Sequence, residues 1–392
     1  ADKVKVGIKD SLIANEKKIT DDQISTTLKP TIFTSATKAV AVTVAKGTDA
    51  NSDGIEDFWT GVYRSDINGT DSGTASLWLS PFVGSLDWVD VGYQFMGDAA
   101  ENWAGWSVSS KHGNHAVSAP LYEPSLGQID VGAVYYIDQN QMNSFITGGN
   151  LQSTLAQSNV IFEGTQTSEQ FGYDVLIFDY DADGNDDVLV GSPFYSQSSY
   201  EGAVSIFTLT EVDINGDVVT LNAGTYTEPQ ERVLGDLPNS RFGTVIVSAV
   251  DSTLGDIDGD GFDDILIAAP NRNVDEGAIF LMNHTLEEPF LLWEGQFENE
   301  EFGSEILIHD INGDGISDVV VGVPKNSVEG IESGAVYIAL GPVVEGHWDA
   351  ILYGSSDFEQ MGYSLAAAEG GFWVGAIGYD ESKGTVWKIV WQ

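Results

Sequence analysis

Asp256-Ile257-Asp258-Gly259-Asp260-Gly261-Phe262-Asp263-Asp264, running directly into Ile265-Leu266-Ile267-Ala268-Ala269-Pro270, sets a short acidic loop before an apolar run. Oxygen-bearing side chains fall at positions 1, 3, 5 and 9 (Asp256, Asp258, Asp260 and Asp264), and Gly261 follows the third of them. This spacing wraps a chain around one hard cation: carboxylates and the main-chain carbonyl of position 7, here Phe262, offer oxygens to Ca²⁺, and Gly takes the sharp turn. An EF-hand loop differs, closing on a Glu at position 12 between two helices. Here the neighbouring residues are β-branched and apolar, so strands are expected on either side.

The loop recurs. Asp179, Asp181, Asp183, Asn185 and Asp187 repeat positions 1, 3, 5, 7 and 9 before VLVGSP. Asp310, Asn312, Asp314, Ile316 and Asp318 repeat them before VVVGVP, and Asp49, Asn51, Asp53, Ile55 and Asp57 before FWTGVY. Four loops with the same oxygens, the same Gly at position 6 and the same following strand imply four calcium sites. In a second repeat Lys111, His112 and His115 stand where the acids belong, and in the sixth a Glu369-Gly370-Gly371 turn replaces the loop. Neither is expected to bind calcium. Lys111, His112 and His115 read either as a transition-metal or catalytic cluster or as filling for a turn that has lost its metal.

From about residue 28 a larger pattern repeats six times. An aromatic-Gly strand end (Phe162-Glu163-Gly164, Trp293-Glu294-Gly295, Tyr353-Gly354) precedes a Phe-Gly step (Phe171-Gly172, Phe242-Gly243, Phe302-Gly303, with Met361-Gly362 and Ala104-Gly105 as variants). The acidic loop follows, then a strand ending in Gly-small-Pro or a relative, then one opened by Gly132, Gly202, Gly277 or Gly334. Four short strands per repeat, too short to stand alone, predict an all-β β-propeller of four-stranded blades. Six blades are expected rather than seven, closed by N- and C-terminal strands sharing one blade, with a strand near residues 28–35 completing the last.

These residues resemble the FG-GAP repeats of the integrin α-subunit propeller and of related bacterial surface proteins, over about residues 28–392. The resemblance implies Ca²⁺ in the loop between the first two strands of a blade, on the lower rim, and a role in adhesion or binding.

Composition sets further bounds. The chain has 392 residues, no Cys and a formal net charge of −44. Without disulfides, stability rests on packing and metal. So acidic a chain is not a nucleic-acid binder, and its self-repulsion calls for bound cations and suits a secreted or cell-surface setting. No apolar run is long enough to span a membrane. No signal peptide is visible, and Ala1-Asp2 would suit a terminus left by cleavage. Residues 1–46 hold eight Lys against five acids, a balance of +3 that leaves −47 for the remainder. The domains read as a basic N-terminal arm, 1–27, and a propeller, 28–392. The arm is expected to dock on an acidic surface, its own or that of a second copy, the latter giving a homo-oligomer or filament.

Residues 205–232 form an insertion in which Asn215-Gly216 reads as a hairpin turn rather than a fifth metal loop. Trp103, Trp106 and Trp348 are candidates for stacking on sugars, and Asn68 and Asn283 each open a glycosylation sequon. Two classes of function follow: a calcium-stabilised module that binds an extracellular protein or glycan, or a polysaccharide lyase or hydrolase. An enzyme needs a convergent acid/base set. Beyond residue 46 the chain offers only four Arg and four Lys, which favours binding.

Overall fold

The computed structural model describes residues 43–51, 53–80, 91–125, 127–148, 152–212, 218–220, 222–249, 255–283, 285–286, 288–368, 370–379 and 384–391. The basic arm and the strand expected near residues 28–35 lie outside these. Two compact units form, one within residues 22–234 and the other within 235–392.

The first unit carries three sheets, each a four-stranded antiparallel meander. They are Thr43–Lys46, Phe58–Val62, Thr74–Trp78 and Tyr93–Met96; then Val108–Lys111, Asn114–Ala119, Ala133–Ile137 and Val160–Glu163; then Asp174–Phe178, Asp187–Ser192, Ala203–Thr208 and Glu231–Leu234. The second unit repeats the scheme with Val245–Ser248, Ile265–Ala269, Ala278–Met282 and Phe290–Glu294, and with Glu305–His309, Asp318–Val323, Ala335–Ala339 and Ala350–Tyr353. Its last sheet has three strands among the described residues: Met361–Ala368, Gly371–Ala376 and Thr385–Val390. The fold class is all-β, built from repeated sheets of the propeller-blade kind.

The sheets begin one strand later than the sequence repeat suggests. Each aromatic-Gly strand closes the preceding sheet rather than opening its own. Val160–Glu163 pairs with Ala133–Ile137 in the second sheet, and Ala350–Tyr353 with Ala335–Ala339 in the fifth. The acidic loops consequently join the first two strands of the first, third, fourth and fifth sheets.

The apolar runs behind the loops read continuously because both faces of these strands are covered. Asp187–Ser192, Ile265–Ala269 and Asp318–Val323 are buried at every residue, whereas the outer strand Phe290–Glu294 is exposed at both ends. Side chains of neighbouring sheets interleave. Val188, Val190 and Phe207 of the third sheet meet Ala116, Val134 and Phe162 of the second, and Val319, Val321 and Tyr337 of the fifth meet Leu266, Ile279 and Trp293 of the fourth.

Adjacent sheets are also laced main chain to main chain. Phe302 N–H donates to Glu276 O, Glu301 to Asp275 and Asn299 to Val274. The same three-rung ladder joins residues 358–361 to 331–333, residues 168–171 to 129–131 and residues 101–104 to 70–72. The middle rung always joins two residues at positive φ: Asp71 and Trp103, Asp130 and Gln170, Asp275 and Glu301, Glu332 and Gln360. Below it, the Gly after each fourth strand donates to the Gly that opens the third strand: Gly97 to Gly73, Gly164 to Gly132, Gly295 to Gly277 and Gly354 to Gly334, at 2.9–3.1 Å.

Three features escaped the sequence. A helix, Gln139–Thr147, is capped by Asp138, whose carboxylate accepts from Gln141 N–H at 2.8 Å. Gln152–Thr154 and Gly224–Tyr226 each add a parallel fifth strand to an outer edge, of the first and second sheets respectively. The insertion does contain a hairpin, Thr210–Val212 against Val218–Thr220, with its turn outside the described residues.

A Cβ at Gly277 would lie 2.3 Å from Phe302 O, whereas one at Gly346, also at positive φ, meets nothing within 4 Å. Gly346→Ala should therefore cost only the left-handed strain of about 1–2 kcal/mol, and Gly277→Ala clearly more. Urea unfolding of the two variants compares them.

Candidate metal centres

Each acidic loop turns on itself by the same hydrogen bonds. The position 1 carboxylate accepts the N–H of the Gly at position 6: Asp49 from Gly54 at 2.7 Å, Asp179 from Gly184 at 3.0 Å, Asp256 from Gly261 at 2.9 Å and Asp310 from Gly315 at 2.9 Å. The position 3 oxygen accepts the N–H of position 5, at 2.8–3.1 Å in all four. Position 5 accepts from position 7 at 2.7–2.9 Å. Gly at position 6 has φ between 87° and 95° in every copy, where a Cβ would be strained.

Position 9 sits at the start of the buried second strand and anchors the loop from beneath. Asp57, Asp187, Asp264 and Asp318 accept the N–H of position 2 (Ala50, Tyr180, Ile257 and Ile311) at 2.9–3.0 Å. All four are buried. Burial pushes Asp187 and Asp264 up to about 7, and raises Asp57 and Asp318 in the same direction. Asp179 and Asp258 are also raised by burial, with neighbouring carboxylates adding to the shift.

The donor sets fit a hard divalent cation. Carboxylate oxygens of Asp179, Asp181 and Asp187 lie within 4.8 Å of one another, as do those of Asp256, Asp258 and Asp260. Asp179 Oδ1 is buried without a hydrogen-bond partner. In the loops at 49–57 and 310–318 position 3 is Asn, whose amide donates to the position 5 carboxylate at 3.1 and 2.9 Å. The side chains of Ile55, Phe262 and Ile316 at position 7 point to solvent, so only the main chain of these residues can serve a cation. Asp183 and Asn185 are exposed or half-buried on the loop of the third sheet, where Asn185 Nδ2 donates to Asp183 at 3.0 Å.

The remaining candidates separate. His115 is buried, accepting at Nδ1 from Trp59 Nε1 at 3.2 Å, and burial depresses it to about 3. His112 is exposed, pairing with Asp186 at 3.0 Å, and Lys111 lies over the Phe178 ring. The second repeat thus closes in a two-residue turn, His112-Gly113, that braces the acidic loop of the third through Asp186. Trp103 and Trp106 stack on each other beside Tyr63, and Trp348 packs against Trp293, Phe302 and Tyr337. Asn68 is exposed, but Asn283 is buried and closed to glycosylation in the folded chain.

One group of polar residues was not singled out from the sequence, and Asn283 was read there only as a sequon. Glu169, Glu300 and Glu359, each two residues before the Phe-Gly or Met-Gly step, are buried, and each accepts two main-chain N–H groups from the loop ahead of it. Their regular spacing was the available signal. Asn283 carries no such signal, because no other repeat has its equivalent.

A model of the FG-GAP repeat matches residues 171–207, 249–282 and 302–338. The chain carries FG-GAP repeats. The three matches span the acidic loops at 179–187, 256–264 and 310–318 together with the two strands that follow each loop. The protein is similar to integrin alpha subunits: 31% identical to integrin alpha-5 of Xenopus laevis over 182 residues, 44% of this chain and 16% of that one. It is 29% identical to integrin alpha-PS3 of Drosophila melanogaster over 48% of this chain and 16% of that one, and 29% identical to integrin alpha-2 of Mus musculus over 55% and 17%. The FG-GAP chain thus aligns with about one sixth of the length of these relatives. With the solved structure of the Dos1 propeller it shares a TM-score of 0.45 at 10% identity, over 86% of this chain and 66% of that one.

A pH dependence follows for the cation-free protein. Between the ordinary aspartate value of 3.8 and about 7, folded Asp187 and Asp264 hold protons that the unfolded chain has lost. Their contribution to stability therefore falls as pH rises through that window. His115 acts in the opposite sense, losing stability as pH falls below 6.5. Denaturant titrations in chelator from pH 4 to 8 should show a shallower decline for Asp264→Asn than for the parent.

Proposed function

We propose that this protein is a calcium-stabilised FG-GAP propeller of six blades, residues 28–392, that acts outside the cell as a binding or adhesion module. The observation that carries the reading is the common hydrogen-bonded geometry of four loops, repeated at the same place in four sheets. Calcium would be held by Asp49, Asn51, Asp53 and Asp57; by Asp179, Asp181, Asp183 and Asp187; by Asp256, Asp258, Asp260 and Asp264; and by Asp310, Asn312, Asp314 and Asp318. The carbonyls of Ile55, Asn185, Phe262 and Ile316 complete the sets. The ion neutralises carboxylates that otherwise repel one another within each loop.

The similarity to integrin alpha subunits supports a secreted or cell-surface location and an extracellular protein or glycan as ligand. Among the described residues no helix is long and apolar enough to cross a membrane. Several cations that an enzyme of acidic polysaccharides would need are already engaged: Arg272 with Asp236 and Glu294, Arg232 with Tyr195, Lys325 with Glu301. The basic arm, 1–27, would link copies by docking on the acidic body of a neighbour, a head-to-tail contact.

Calcium at a hundred times its dissociation constant should stabilise each occupied site by about 2.7 kcal/mol. Chelator should therefore lower the melting temperature, and Asp260→Ala should cost more than Asp217→Ala in the insertion; equal losses, or calorimetry without calcium uptake, would sink the reading. Deleting residues 1–27 should reduce the mass measured in solution with calcium present, and an unchanged mass would remove the arm as a linker.

A further inference from the structure

In three of the four loops the position 9 carboxylate takes its second hydrogen bond from the main chain leaving the third strand. Asp57 Oδ1 accepts from Ser80 N–H at 2.7 Å, Asp187 Oδ1 from Leu209 N–H at 3.3 Å and Asp318 Oδ1 from Gly341 N–H at 2.9 Å. These main-chain contacts hold position 9 alone; in the first loop the Ser80 hydroxyl adds bonds to Asp57 Oδ1 at 3.1 Å and to Ile55 O at 3.3 Å, but reaches no second carboxylate. At 256–264 a side chain takes over. Asn283, directly after the strand Ala278–Met282, donates from Nδ2 to Asp264 Oδ1 at 2.9 Å and to Asp260 Oδ2 at 3.1 Å. One amide thereby spans positions 5 and 9.

The amide is itself fixed. Asn283 is 1% exposed, and its Oδ1 accepts from Thr285 N–H at 3.0 Å and from Thr285 Oγ1 at 2.6 Å. An oxygen facing two donors and a nitrogen facing two carboxylates leave one orientation for the group. The two N–H dipoles lie between Asp260 and Asp264 and offset their repulsion before any cation arrives. Each carboxylate oxygen keeps a second lone pair for a metal.

We propose that Asn283 is a positioning residue for the cation site at 256–264, holding Asp260 and Asp264 at their binding separation so that this loop takes Ca²⁺ more tightly than the other three. The inference rests on the calcium reading above. Partners that hold a ligand from behind the metal typically contribute 10–100-fold in affinity, and a loop gathered in advance has less ordering to do on binding.

Calorimetric titration of the calcium-stripped full chain tests this, with Asp260→Ala marking which binding step belongs to the loop. The parent should take up calcium with that step the tightest. Asn283→Ala should weaken it 10–100-fold, leave the other steps in place and lower the melting temperature in saturating calcium by no more than the lost affinity at this one site accounts for. Unchanged binding, or equal weakening of every step, would overturn the role of Asn283 while leaving the calcium reading intact. A parent that binds no calcium would remove both. Should Asn283→Ala fail to fold, Thr285→Val keeps Asn283 and removes the hydroxyl that orients it; a several-fold weakening confined to the same step supports the proposal, and none overturns it.

Discussion

Neighbouring sheets within each unit meet main chain to main chain, at a distance that leaves no room for a Cβ. The rungs from residues 299–302 to 274–276, and from 358–361 to 331–333, satisfy loop N–H groups that would otherwise be stranded at the sheet ends. Gly277 and Gly334 permit the approach, since a Cβ there would press within 2.3 Å of the next Phe-Gly or Met-Gly step. Both the packing of the apolar strand faces and the placing of the acidic loops depend on this spacing. A loop that joins the first two strands of a sheet can close only if those strands are held in register from the other end.

The same physical chemistry decided what was legible in the sequence. Apolar runs such as Ile265–Ala269 announced strands covered on both faces, and oxygens at positions 1, 3, 5 and 9 announced a loop that turns on its own side chains. Both signals are local and repeat, so each copy reinforced the others. The phase of the sheets was not legible, because Phe162-Glu163-Gly164 lies next to Phe171-Gly172 in the chain yet pairs backwards with Ala133–Ile137. Sequence adjacency and hydrogen-bond partnership diverge there. Asn283 was hidden for a different reason. Its neighbours spell a glycosylation sequon, and nothing local shows that its amide lies between Asp260 and Asp264, 19 and 23 residues away.

Buried carboxylates serve two distinct ends in this chain. Glu169 and Glu300 are raised by burial yet held by main-chain N–H groups and, for Glu300, by Asn326, so their charge is spent on fixing loops. Asp187 and Asp264 are equally hidden but border the exposed carboxylates of their own loops. The first kind fixes the loops ahead of the Phe-Gly steps; of the second, Asp187 brings an oxygen within 4.8 Å of those of Asp179 and Asp181.

The turn at His112-Gly113 shows how loosely the acidic loop is tied to the architecture. The strands around it, Val108–Lys111 and Asn114–Ala119, keep the pairing of their counterparts in the other sheets although the nine-residue loop has shrunk to two residues. Acidic loops in such an array can therefore be present or absent one repeat at a time, like interchangeable fittings on a common frame. The charge carried at the sheet ends can then differ from repeat to repeat while the frame stays as it is.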